Sequence, residues 1–224
     1  MNLPNAITVG RIALTPLIAW LPFVATWEAR LAAFLLFLVA AITDYWDGHL
    51  ARSRNLVTDL GRLLDPLADK LLLLATLVPM FLLQRPGGLL AQAPVAEAPG
   101  RFPFETPLGL VALPLWIVAV VLGREAFMTL FREVAKRRGL VIAAIGPAKW
   151  KTTFQSIWLG AAYFWFFAAT LARHQGWEGH QAWGAFAGFN GFVGVASMVG
   201  AVILTLYSLW LYLRRYGRHV LGAP

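Results

Sequence analysis

The chain carries apolar stretches too long and too frequent for the core of a water-soluble domain. They fall at about residues 8–27, 31–50, 63–84, 107–131, 152–172 and 185–213. Each is long enough to cross a hydrocarbon layer as a helix, which takes roughly 20 residues. Inside a bilayer a helix pairs its own backbone polar groups, so such stretches leave little choice of fold. Composition points the same way. The chain is 59% hydrophobic and 13% charged, about half the charge of a soluble domain. In water, so much apolar side chain would be left in large exposed patches. The prediction is an all-α integral membrane fold of six transmembrane helices, with residues 1–224 forming one polytopic domain. Pro4 and Pro16 flank Arg11, and neither a basic leader nor a small-residue cleavage site is evident. The first stretch is therefore expected to remain as a span.

The chain has no cysteine, which excludes disulfides, thiolate nucleophiles and cysteine-ligated metals. Its net charge of +8 suits an anionic partner, and the position of the charge tells which. Six spans put both termini on one side. The connections after the first, third and fifth spans hold Arg30, Arg85, Arg101 and Arg173, balanced by Glu28, Glu97, Glu105 and Glu178. The excess basic charge, including Arg52, Arg54, Arg62, Arg132, Lys136–Arg138, Lys149, Lys151, Arg214, Arg215 and Arg218, lies on the other side. That side is expected to be cytoplasmic, with the basic residues meeting membrane lipids and not nucleic acid. Residues 85–106, rich in Pro and Gly, read as an irregular outer loop. Trp27, Trp116, Trp177 and Trp183 read as interfacial anchors. The aromatic run at 163–167 reads as core or lipid-facing packing.

Four acids stand where a membrane helix should have none. Asp44 and Asp47 close the second stretch, and Asp65 and Asp69 open the third. A central intramembrane Asp costs about 2.5–3.5 kcal/mol on the insertion scale, less near the interface. Four of them need a compensating positive charge and are a functional signal. Spacings of three and four residues put each pair on one helix face. The two stretches are antiparallel and joined by a short polar turn, so the pairs face one another just inside the cytoplasmic surface. Oxygen ligands without His or Cys suit Mg²⁺, Mn²⁺ or Ca²⁺, and two such ions would neutralise the set. Gly48, Ala51 and Gly61 leave room for a ligand to approach the backbone, and Arg52 is a candidate diphosphate clamp. Asp59, in the turn, is read as a cap of the third helix. Lys70 is read as a structural ion-pair partner. Arg11 is expected either to snorkel or to reach the site, and His49 to face solvent.

The pattern Asp44-x2-Asp47-Gly48-x2-Ala51-Arg52-x8-Gly61-x3-Asp65-x3-Asp69 resembles the full signature of the CDP-alcohol phosphotransferase family, with no departure across residues 44–69. The resemblance implies six transmembrane helices, a homodimer and a cytoplasm-facing cavity. It implies that Asp44, Asp47 and Asp65 bind two divalent cations, Mg²⁺ or Mn²⁺, with Asp69 able to contribute. It also implies that Asp69 is the general base on the acceptor hydroxyl, and that Gly48, Ala51 and Arg52 line the CDP site.

A wider likeness covers about residues 2–155. Asn2–Thr8 with Arg11, Leu64–Lys70, Arg124-Glu125, Arg132-Glu133, and Lys149–Thr152 with Gln155 resemble bacterial phosphatidylglycerophosphate synthases. Ala148 stands where those enzymes usually have Gly. This likeness implies CDP-diacylglycerol and sn-glycerol 3-phosphate as substrates and an inner-membrane location. A phosphorylated acceptor needs cations at the cavity floor. Arg124, Lys149 and Lys151 are the candidate acceptor-phosphate ligands, and Lys136–Arg138 are read as headgroup contacts. The nearest alternative is the same chemistry with another acceptor: inositol phosphate, serine, phosphatidylglycerol or a further alcohol. From other classes come a cation transporter using the Asp cluster, which would not require Gly48, Ala51, Arg52 and Gly61 at these spacings, and a non-catalytic scaffold.

Overall fold

The computed structural model describes residues 3–53, 58–83, 104–106, 109–143 and 145–221; within them, the side chains of residues 45, 47–53, 59, 62, 110, 219 and 221 are not described. Long apolar runs form helices because each residue fixed adds an internal hydrogen bond and hides its backbone from lipid. Six helices result: α1 (Leu3–Trp20), α2 (Trp27–Ser53), α3 (Asp59–Leu83), α4 (Leu115–Arg137), α5 (Gly146–Gln175) and α6 (Gln181–Leu221). Among the described residues, four segments are long and apolar enough to cross a membrane: Leu3–Phe23, Leu63–Leu83, Gly146–Gln175 and Gln181–Arg218.

The helix ends follow local chemistry. Thr58 caps α3, its hydroxyl accepting from the Gly61 N–H at 3.0 Å; the side chain of Asp59, the expected cap, lies outside the described set. The α5 helix starts with Pro in its first turn and stops at Gly176, whose φ of +72° suits a residue without Cβ. Arg30, expected in a loop, lies in the first turn of α2 and is buried. It donates to the Thr170 hydroxyl and to the Pro22 carbonyl. One arginine thus ties the start of α2 to the segment just after α1 and to the last turns of α5.

The chain departs from the expected all-α fold between α3 and α4. Phe104–Thr106 (β1) and Gly109–Val111 (β2) form an antiparallel hairpin, with Phe104 opposite Val111. Gly109 has φ +114°, and Pro114 stands just before α4. The helix expected from residue 107 therefore starts at Leu115. Phe104 is fully buried, and the hairpin sits on a flat patch of α6. A Cβ at Gly191 would lie 1.7 Å from the Glu105 carbonyl oxygen, and one at Gly194 would lie 2.4 Å from the Phe104 ring.

The core lies where α5 packs between α2 and α6, with α1 laid on α3. Trp158, Tyr163 and Phe166 of α5 are buried in it, which places much of the aromatic run in the core. Tyr163 stacks on Phe37 at 5.6 Å and donates its hydroxyl hydrogen toward the carbonyls of Ala75 at 3.1 Å and Ile18 at 3.4 Å. A second cluster around Met128, Phe131 and Tyr212 joins the ends of α4 and α6 to the 138–145 connection.

Candidate active site

The site is built on α1 as much as on the helices that carry the acids. Asn5, Thr8 and Arg11 recur every three residues, so they line one edge of α1. All three are buried, because that edge lies against α3. Asn5 exchanges hydrogen bonds with the Thr58 hydroxyl at 2.9 and 3.1 Å. Thr8 donates to Asp65 at 3.0 Å, with the Pro4 carbonyl as a second acceptor. Arg11 donates through Nη1 to Asp44 of α2 and, at 3.3 Å, to Asp69 of α3. Three of the four signature acids are therefore met from one helix.

Arg11 is the compensating charge that the acids require. Its side chain is 1% exposed, whereas those of Asp44 and Asp69 are 42% and 57% exposed. The cation is sealed behind the acids, and the acids open forward into a pocket of about 170 Å³. Lys70, Glu125, Lys151, Thr152, Gln155 and Ser156 add its other polar lining, and Phe37, Leu72, Leu73 and Leu159 its apolar part. Lys70, expected as a structural ion-pair partner, thus faces the same pocket as Asp69.

The basic residues divide. Lys151 is buried and bonds Glu125, which also accepts from Arg124 at 2.9 Å. Arg124 is buried too and reaches Ser208 of α6 at 3.2 Å. Lys149, expected beside them, is exposed and lies outside the pocket. It is two residues from Lys151 on α5, and residues so spaced do not share a helix face. Gly61 is buried with Asn5 Oδ1 2.9 Å from the place of a missing Cβ. Its small size serves the close approach of α1 and α3. Asp47, Gly48, Ala51 and Arg52 lie in the last turns of α2, and their side chains are outside the described set.

Among the described residues, no three acids or histidines converge enough to hold a metal by themselves. The donor chemistry nevertheless fits a hard divalent cation. Asp44 and Asp69 approach the same guanidinium from consecutive helices, so their carboxylates converge, and among the described residues no sulfur or imidazole lines the pocket.

Residues 1–207 match the family model described as CDP-alcohol phosphatidyltransferase. The chain belongs to that family. It is similar to the "CDP-diacylglycerol--glycerol-3-phosphate 3-phosphatidyltransferase" of Bacillus subtilis, at 37% identity over 174 residues, covering 71% of this chain and 75% of that protein. It is also similar to "CDP-diacylglycerol--glycerol-3-phosphate 3-phosphatidyltransferase 2" of Arabidopsis thaliana, at 36% identity over 162 residues, 70% of this chain and 62% of that protein's length. A third relative is "Cardiolipin synthase (CMP-forming)" of Oryza sativa, 33% identical over 163 residues, 69% of this chain and 43% of that protein. Membership of this CDP-alcohol phosphatidyltransferase family accounts for the spacing of the acids. The roles of Asn5, Thr8, Glu125 and Ser208 were not legible from that spacing. The sequence signal for the first two was polar residues at every third position of an otherwise apolar helix.

Proposed function

We propose that the chain transfers a phosphatidyl group from CDP-diacylglycerol to a hydroxyl of sn-glycerol 3-phosphate, giving phosphatidylglycerophosphate and CMP. The observation that carries this reading is the convergence of Asp44 and Asp69 on a pocket that also receives Lys151. Acids for activating a hydroxyl and a cation for an anionic acceptor thus share one space. In the reaction, the acceptor oxygen bonds to the phosphorus bearing diacylglycerol, the phosphorus–oxygen bond to CMP breaks, and CMP leaves with the electron pair. Asp69 takes the hydroxyl proton. As a carboxylate it is a weak base for an alcohol, so that transfer belongs late in the step.

Asp44, Asp47, Asp65 and Asp69 are the residues that would hold two divalent cations, Mg²⁺ or Mn²⁺. When bound, such ions supply charge stabilisation to the diphosphate and the leaving group. Arg52, with Gly48 and Ala51, is assigned to the CDP moiety. Lys151, on the pocket wall, is assigned to the acceptor phosphate, with Arg124 joined to it through Glu125; Lys149, exposed outside the pocket, is a weaker candidate. On this reading the six helices all span the inner membrane, the site and both termini face the cytoplasm, and the protein works as a homodimer. The basic residues around the site support that orientation.

The rice relative favours a second reading, the same chemistry with phosphatidylglycerol as acceptor. The experiment is CMP release by purified protein in detergent, with CDP-diacylglycerol, Mg²⁺ or Mn²⁺, and each acceptor in turn. Release that needs both the cation and glycerol 3-phosphate supports the first reading. Release only with phosphatidylglycerol, serine or inositol phosphate keeps the chemistry and overturns the acceptor. No release with any acceptor, but cation flux in liposomes, would reopen the transporter alternative.

A further inference from the structure

Beside the acids, four polar side chains form one chain across three helices. Lys151 of α5 donates to Glu125 Oε1 of α4, and Arg124 Nη1 donates to the same oxygen at 2.9 Å. Arg124 Nη2 then donates to Ser208 Oγ of α6 at 3.2 Å, and Ser208 donates onward to the Thr205 carbonyl at 3.1 Å. Lys151 and Arg124 are only 6% and 7% exposed, and Ser208 is fully buried. Glu125 opens into the pocket that holds Asp44 and Asp69.

Two buried cations that reach one oxygen repel each other, and the carboxylate makes their closeness tolerable. One negative charge against two positive ones leaves the group net positive, and Glu125 and Lys151 are the two members that line the pocket. The bonds also fix direction. An ammonium on four methylenes has many orientations, and a charged acceptor of fixed position selects one. Arg124 is held from two sides, by Glu125 and by Ser208, so its fork is set as well. A salt bridge made only to join α4 to α5 would not need an oxygen shared between two cations at the rim of a pocket.

We propose that Glu125 is a positioning residue for the acceptor: braced by Arg124, it sets Lys151 so that the acceptor's phosphate meets a pre-oriented cation on the pocket wall. This rests on the acceptor being the phosphorylated alcohol proposed above. On this proposal Glu125 touches neither the reacting phosphorus nor the hydroxyl; it acts through Lys151.

The test is steady-state CMP release by the full chain in detergent, varying glycerol 3-phosphate and CDP-diacylglycerol separately. Glu125→Gln is expected to raise KM for glycerol 3-phosphate roughly tenfold or more, the scale of a lost charge-assisted bond, with KM for CDP-diacylglycerol within about twofold. Inhibition by inorganic phosphate should weaken in parallel. Glu125→Asp, which keeps the charge on a shorter stem, should recover part of the loss. An unchanged acceptor KM, equal rises in both KM values, or an Asp variant no better than Gln would each overturn the proposal. If Glu125→Gln does not fold, the comparison is Lys151→Gln with and without Glu125→Gln, which removes opposite charges together. A residue acting through Lys151 adds little in that background, within about twofold, and a further tenfold rise overturns the idea. Wild-type release that ignores glycerol 3-phosphate would remove the acceptor reading itself. An acceptor-dependent wild type with an unaltered variant would remove only the role of Glu125.

Discussion

Replacing Arg11 with Met separates its role as counter-ion from the role of any bound cation. The guanidinium is sealed at 1% exposure, and its partners Asp44 and Asp69 are 42% and 57% exposed. Breaking a fully buried pair costs about 3–5 kcal/mol, and an exposed pair contributes about 0–1 kcal/mol. With one partner buried and two half-open, the loss should fall between, at about 2 kcal/mol. For a chain of 224 residues, each kcal/mol moves the melting temperature by roughly 2–4 °C, so Arg11→Met should melt roughly 4–8 °C lower in chelator. Divalent cation stabilises whatever state binds it, by about 2.7 kcal/mol at a hundred times Kd. In the variant the cation is the remaining neutraliser of two crowded acids, so Mg²⁺ should raise its melting temperature more than it raises that of the parent. Arg11→Lys keeps the charge but loses the fork that reaches two carboxylates, and should recover part of the loss. The assay is thermal unfolding of detergent-solubilised protein, in chelator and in a Mg²⁺ series. Equal melting of Arg11→Met and the parent in chelator, or the same Mg²⁺ increment in both, would refute the counter-ion reasoning.

Two further substitutions probe different parts of the molecule. Gly191→Ala puts a methyl where the Glu105 carbonyl oxygen sits, 1.7 Å away; overpacking of this kind costs about 1–3 kcal/mol. It should lift the hairpin from α6, read as lower melting temperature and faster amide exchange at residues 104–106 and 109–111, with both KM values unchanged. Asp69→Asn should lower acceptor-dependent CMP release by roughly a hundredfold or more, the contribution of a general base. Binding of CDP-diacylglycerol, followed by equilibrium dialysis with labelled nucleotide, should stay within a few-fold; full turnover by this variant would remove Asp69 as the base.

What the sequence disclosed follows from what spacing encodes. Apolar length alone locates the helices, because a bilayer leaves few other ways to satisfy the backbone. Acids at three- and four-residue spacing on consecutive stretches disclose that the pairs can meet. Spacing on one helix does not report which other helix lies alongside, so Arg11 stayed between two readings until α1 was placed on α3. The same limit explains Gly61, whose small size suits a ligand or a neighbouring helix equally well on paper. It explains Lys149 and Lys151, two residues apart in sequence and on different faces of α5. The hairpin was masked by an apolar run at 107–131 that continues through Gly109 and Pro114. Single residues there outweigh mean hydropathy, because a positive φ and a missing N–H end helices whatever their side chains bury.

The charges around the site account for why it can exist inside a membrane protein and what must enter with the substrates. Asp44, Asp65, Asp69 and Glu125 are set against Arg11, Arg124, Lys151 and Lys70. Opposite charges placed together cost less to hold at low dielectric than an excess of one sign. On the proposed reaction, the diphosphate brings a charge of about −2 and the acceptor phosphate nearly as much. Among the described side chains the charges around the site are already opposed by one another, and two divalent cations would neutralise what the substrates add. Cation and nucleotide should therefore bind cooperatively, each supplying the charge that the other needs. By linkage, the factor by which CDP tightens the cation equals the factor by which the cation tightens CDP, and a coupling of about 1–3 kcal/mol would make it roughly 5- to 150-fold. Titrating Mn²⁺ by its paramagnetic signal, with and without CDP, measures the first factor, and nucleotide binding at fixed Mn²⁺ measures the second. Independent binding would mean that the charge of the diphosphate is met by the protein alone, and the role assigned to the Asp44–Asp69 cluster would fail.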